Sequence, residues 1–275
     1  MLRKRNSMEH KVTFGRLLDY DLKNSLIQNR WRWAGAIALF VFLAHVITDS
    51  FRLFGKEPGI GGIFLYLIKG AAPYTRTENS SFELPVLWLL YHSYFFCLIG
   101  DYPVKDLQGY GKQVFLRIAD RKRWWLSKCV WITVSASIYE ALFLIVDLLY
   151  LTVNVHDIVI HPDVVFQMVG MESAATAAVG FFAYLGATIW AGWFQFYLSL
   201  IMHPVLAVLI TLTLLICACY FYTPLLPGNL MMLDRTCGVA QNGFFLLYGA
   251  VVLMMLLVFT LWLGAELMKK YQLMK

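Results

Sequence analysis

The sequence predicts an all-α membrane protein with six transmembrane helices, and three observations carry that reading. Of 275 residues, 60% are hydrophobic and only 15% charged, against about 25% charged in an ordinary soluble domain, and the mean hydropathy is +0.63. Apolar runs recur along the whole chain; at about 20 residues per crossing they leave room for six spans and for no sizeable soluble domain. The basic residues gather in three places, with eight from Arg3 to Arg32, seven from Lys105 to Lys128, and Lys269, Lys270 and Lys275 at the end, so that 18 of the 23 lie there. Alternating with the apolar runs, these clusters place both termini and the central loop in the cytoplasm.

The N-terminal segment, residues 1–33, is too long and too charged for the start of a cleaved signal peptide. Within it Phe14, Leu17, Leu18, Leu22 and Leu26 form one apolar helical face opposite Arg16, Asp19, Lys23 and Asn24, with Thr13 as a candidate cap. Such a helix lies flat in the membrane interface. Span one runs over 34–48 and is closed by Asp49 and Arg52. The following apolar run, Ile63 to Ile68, is too short to cross and reads as an extracytoplasmic segment at or dipping into the surface. Asn79-Ser80-Ser81 matches a glycosylation sequon, a three-residue pattern with nothing beside it to indicate a secretory host.

Span two, 84–98, delivers the chain into the long polar stretch from Asp101 to Trp131. Asp106 is a candidate N-cap there, and Leu107, Tyr110, Val114 and Ile118 recur at helical spacing, while Gln113, Arg117 and Asp120 fall on another face. Gly109 and Gly111 weaken the helix start by up to about 1 kcal/mol each. Arg121, Lys122 and Arg123 suit lipid headgroups, and Trp124 and Trp125 the interfacial aromatic belt. The stretch is read either as a topology signal or as a docking helix for a soluble partner, with Tyr110, Gln113, Val114 and Arg117 as the contacting residues.

Span three, 129–153, carries Glu140 and Asp147, seven residues apart and therefore on one face. An acid at the bilayer centre costs about 2.5–3.5 kcal/mol, so both face protein or water. They either line a translocation path for cargo or protons or pair with polar groups in the bundle, Asp147 nearer the outer surface. The next loop holds His156 and His161, too loose a pattern for a metal site. Span four, 174–201, is dense in small residues, among them Ala174, Ala178, Gly180, Ala183, Gly186 and Ala187, which suits close helix contacts. His203-Pro204 breaks the helix, and span five, 205–221, returns at once. Pro224, Pro227 and Gly228 then argue against a continuous helix, Leu230 to Leu233 can dip into the membrane, and span six covers 244–267.

The absences narrow the function. No GxxxxGK[ST], HExxH or GxSxG occurs, so the GYGK at Gly109 to Lys112 is not a phosphate loop. The five cysteines form neither a disulfide nor a metal framework: Cys97, Cys129, Cys217 and Cys219 lie in or beside spans, and Cys237 has no evident mate. The net charge of +6 is concentrated at membrane-proximal ends, which suits anionic lipid and argues against nucleic acid.

Three features, the N-terminal helix FGRLLDYDLKNSLIQNRWRW, the basic loop GYGKQVFLRIADRKRWWLSKCVW and the broken segment before span six, resemble the permease subunit of a type-two ATP-binding-cassette exporter. The resemblance covers nearly the whole chain. It implies a single permease domain over 1–275, with a cytoplasmic coupling helix in 101–128 received by a separate ATPase that binds ATP and magnesium, and a second permease, identical or similar. This chain then carries no cofactor and catalyses nothing itself. A bacterial cell membrane is the expected location, and the aromatic and methionine content suits an amphipathic peptide, drug or lipid-like cargo. The competing readings are an intramembrane enzyme using Glu140, Asp147 and His92, and a passive channel.

Overall fold

The computed structural model describes residues 14–55, 57–59, 61–71, 74, 82, 84–109, 112, 113, 115, 121–154, 174–223, 225–236 and 244–270. Among them the chain is helical, with no strand. Helix α1 is Phe14–Gln28, α2 Arg30–Leu53, α3 Gly62–Lys69, α4 Val86–Ile99 and α5 Tyr102–Gln108. They are followed by α6 (Arg121–Asn154), α7 (Ala174–Ile201), α8 (Pro204–Tyr220), a 3-10 turn at Pro227–Asn229, α9 (Leu233–Thr236) and α10 (Phe244–Lys270). Every stretch read as a span is helical apart from one or two terminal residues, but α2 and α6 extend well past their expected ends, α6 beginning at Arg121 and not at Cys129.

Among the described residues three helices are long and apolar enough to cross a membrane: α2, α6 and, over Leu247–Lys270, α10. They point to a membrane protein. α8 is apolar with 17 residues, at the lower end of the lengths that cross a hydrocarbon layer of about 30 Å, and α4, with 14, is shorter than the roughly 20 typical of a crossing. Large apolar side chains face outward on the long helices, including Val41 and Phe42 on α2, Ile145 and Leu149 on α6, and Met255, Val258 and Trp262 on α10. Such belts are at odds with water and suit lipid.

At 34 residues, or about 50 Å, α6 is the axis of the bundle. It packs against α1, α2, α3, α4, α7 and α10. α7 lies beside it and also touches α8 and α10; Ala183, Ala187 and Ala191 are buried there, as small residues at a close helix contact should be. Reversal into α8 takes two residues, Met202 and His203, and the His203 ring accepts the Val205 N–H at 3.4 Å. Pro204 opens α8, where its missing N–H costs nothing.

Two short apolar segments fold into the bundle. α3 buries Ile63, Phe64, Leu67 and Ile68 against α2, α4 and α6, so this run belongs to the core. Leu230, Met231, Met232 and Leu233 are all fully buried, and the Trp88 indole of α4 donates to the Met231 carbonyl at 2.9 Å. Gly70, at φ +73°, lets the end of α3 pass this segment: a Cβ there would lie 2.5 Å from the Met232 side chain.

Trp124 and Trp125 correct the sequence reading. Instead of forming an interfacial belt they are 2% and 1% exposed. Trp125 stacks on Phe196 of α7 at 4.7 Å and lies over Gly264 of α10, where any Cβ would collide with its ring. Two indoles beside a run of cations read as interfacial only while the approach of α7 and α10 is unknown.

Candidate functional site

Two groups of buried polar side chains stand out in a chain so poor in charge. The first joins the middle of α1, the last turn of α5 and the early turns of α6. Lys128 on α6 is fully buried and donates to Asp21 of α1 and, at 2.7 Å, to Asp106 of α5. The Ser127 hydroxyl donates to the other Asp21 oxygen, and the Tyr102 hydroxyl to Asp21 at 3.4 Å. The ammonium also sits 4.9 Å from the Tyr102 ring centre and 5.2 Å from that of Trp124. Beside it the Trp131 indole donates to Ser25 at 2.6 Å.

One lysine thus serves two aspartates. Burial is the largest influence on Asp21 and pushes its carboxyl above the ordinary value in spite of Lys128. Its contribution to stability is therefore greatest at low pH and is lost as pH rises through the raised value.

Asp106 corrects a second expectation. It is no N-cap: it lies in the last turn of α5, a helix that begins earlier, at Tyr102, with Pro103 in its first turn. Its carboxylate is spent on Lys128, and Leu107 is buried within the same helix. Of the four proposed docking residues, Gln113 is helical and exposed, whereas Tyr110, Val114 and Arg117 lie outside the described residues. So do Thr13, His156, His161, the sequon and Cys237. Cys129 and Cys219 are buried free thiols, as apolar fillers would be.

Asp101, just before α5, ties that helix to α2. Both its oxygens accept from the Arg32 guanidinium, one at 2.8 Å, and Lys105 adds a contact at 2.6 Å. Burial alone would raise this carboxyl, but the hydrogen bonds and charges of Arg32 and Lys105 prevail and hold it down at about 2. A depressed carboxyl stabilises the fold above its unfolded value and loses that contribution as pH falls through the folded one. Asp101→Asn is therefore expected to cost about 1 kcal/mol or less at neutral pH, because the pair is partly solvated, and the difference from wild type should vanish between about pH 4 and about pH 2. Thermal melts of the detergent-solubilised protein across that range measure it.

The second group lies deep in the bundle. Glu140 is 3% exposed; its two oxygens accept from the hydroxyls of Tyr91 on α4 and Tyr184 on α7, each at 2.7 Å. Tyr139 donates to the Tyr91 carbonyl at 2.9 Å and closes the same seam. His92, fully buried beside Tyr91, donates Nδ1–H to the Trp88 carbonyl at 2.8 Å, which leaves Nε2 as an acceptor with no partner among the described residues.

Asp147 lies two turns beyond Glu140, 1% exposed. One oxygen accepts the Phe64 N–H in the first turn of α3 at 3.4 Å, and the other has no partner among the described residues. An acid at a helix N-terminus is favourably placed against its unpaired N–H groups, so Asp147 anchors α3. Both acids therefore face the interior of this chain, as the insertion cost requires.

A family model matches residues 34–274, which runs from within α2 past the end of α10 and includes both acids. The chain belongs to the DUF2705 family. The family is described as proteins of unknown function. No curated protein and no solved structure matches the chain. In this DUF2705 protein the buried polar groups thus rest on their own geometry.

Sequence reasoning placed Glu140 and Asp147 but missed Asp21, Lys128 and Arg235. Arg235 of α9 is fully buried and donates to the carbonyls of Ala71, Ala218 and Cys219 and to the Asn229 side chain. For Asp21 a signal existed: it sits four residues after Leu17 and four before Ser25, on the face that turns inward. Lys128 was hidden among other cations, and Arg235 in a segment without periodicity.

Proposed function

We propose that this chain is the membrane permease subunit of an ATP-driven exporter of the type-two ATP-binding-cassette class. On this reading it has six spans, α2, α4, α6, α7, α8 and α10, with both termini cytoplasmic in a bacterial cell membrane. It pairs with a second permease, identical or similar, and each copy receives a cytoplasmic ATPase that holds ATP and magnesium. The cargo is amphipathic or hydrophobic: a peptide, a drug or a lipid-like molecule.

The observation that carries the reading is the Asp21–Lys128–Asp106 cluster. It fixes α5, which opens the basic loop, and α1, which precedes the first long helix, to the base of the longest helix in the bundle. A force applied at the loop would pass through buried ionic contacts into α6 without first bending a flexible linker. The enzyme reading is weaker on this geometry, because Glu140 is closed in by two tyrosines and Asp147 is committed to α3.

Purification of the native complex in mild detergent tests the proposal. An ATP-hydrolysing subunit should accompany the chain, and Val114→Asp and Tyr110→Ala should each reduce its recovery at least about tenfold, the loss of one interface anchor, with the permease still in the membrane. Purification of the wild-type chain without any ATPase, or both variants retaining it at wild-type levels, would overturn the docking role.

A further inference from the structure

We propose that Glu140 is a proton-binding site in the core of the bundle, holding its proton while the seam between α4, α6 and α7 is closed and releasing it when that seam opens. The inference does not depend on whether an ATPase drives the chain. It starts from what surrounds the carboxyl. α4 presents Tyr91 and α7 presents Tyr184 directly to it; Tyr139 bonds to the Tyr91 carbonyl, and His92, Phe40 of α2 and Phe64 of α3 pack against those two tyrosine rings. Among the described residues no cation pairs with Glu140.

A carboxylate enclosed by two neutral hydroxyls and aromatic rings is poorly compensated for the hydration it has lost. A carboxylic acid fits the same partners without that cost. Its carbonyl oxygen accepts from one tyrosine, and its O–H donates to the oxygen of the other. The two tyrosines need only reverse the sense of one hydrogen bond.

Two further atoms point to the same seam. His92 Nε2 and Asp147 Oδ1 are buried acceptors without partners among the described residues, one beside Tyr91 and the other two turns along the same face of α6. The His92 ring lies 5.8 Å from that of Tyr184. Unpaired buried acceptors are uncommon, and water or a proton entering the seam would satisfy them. When the seam loosens just enough to admit water, the O–H bond of Glu140 breaks, the proton passes to that water as hydronium, and both tyrosine hydroxyls, still within reach, donate to the carboxylate. Closure reverses each step.

Infrared difference spectroscopy of the purified protein in detergent, titrated from about pH 4 to about pH 10, reads the carboxylic acid C=O band directly. A band is expected that disappears as pH rises, is absent in Glu140→Gln and persists in Asp147→Asn. Tyr91→Phe and Tyr184→Phe should each move its midpoint upward by about one pH unit, because each removes a donor to the ionised form. A spectrum without a Glu140-dependent band, or with one that does not titrate in this range, overturns the proposal. Should Glu140→Gln fail to accumulate, the two phenylalanine variants decide, since they keep the acid: unshifted midpoints in both overturn it.

Discussion

Lys128→Met is expected to destabilise the protein by about 3–5 kcal/mol, the largest effect of any single substitution at the base of the bundle. The replacement keeps the length of the side chain and removes only the charge, so lost packing contributes little. What remains is a pair of buried carboxylates, Asp21 and Asp106, facing each other without a counter-ion, and Tyr102 and Trp124 without the cation they flank. The penalty should depend on pH. Burial already pushes Asp21 upward, and removing the lysine pushes further in the same direction, so the variant should regain stability as pH falls and lose it as pH rises. Adding Asp21→Asn and Asp106→Asn to Lys128→Met should restore much of the loss, because breaking a buried ion pair on one side costs more than replacing it altogether. Thermal unfolding in detergent, followed at acid and neutral pH, gives all three comparisons. A single variant as stable as wild type at neutral pH would mean that the cluster contributes no net stability and that α1 and α5 are held by other contacts.

Arg235→Met should have a comparable effect at the opposite side of the molecule. The guanidinium gathers the carbonyls of Ala71 after α3 and of Ala218 and Cys219 at the end of α8, together with the Asn229 side chain. Those carbonyls belong to segments distant in the chain, and a helix end leaves such groups without intrahelical partners. Hydrogen bonds from a charged donor are worth about 1.5–3 kcal/mol each in favourable cases, and acceptors left buried without one lose their solvation as well. Several share one donor here, so a total loss of about 3–5 kcal/mol is the expected scale. The change should also loosen Leu230 to Leu233, which Arg235 follows directly. Hydrogen exchange should therefore rise in residues 225–236 more than in α6. Uniform exchange across the chain at wild-type stability would show that the segment is held by its apolar contacts alone.

These two residues mark where sequence reading stopped. The length and composition of the apolar runs determined where helices form, since a run of about 20 apolar residues has few other ways to satisfy its backbone in lipid. The α7 to α8 reversal was equally legible, because proline constrains the backbone locally. The inward direction of Glu140 and Asp147 followed from the cost of presenting an acid to lipid. The extent of α5, the burial of Trp124 and Trp125, and the roles of Lys128 and Arg235 were settled only by the tertiary structure. Lys128 meets Asp21 across 107 positions, Tyr184 meets Glu140 across 44, and Arg235 meets Ala71 across 164. Periodicity is a property of one helix and reports which face it buries; whether a cation on that helix is a topology signal or the centre of an ion cluster depends on which other helices bring acids to it.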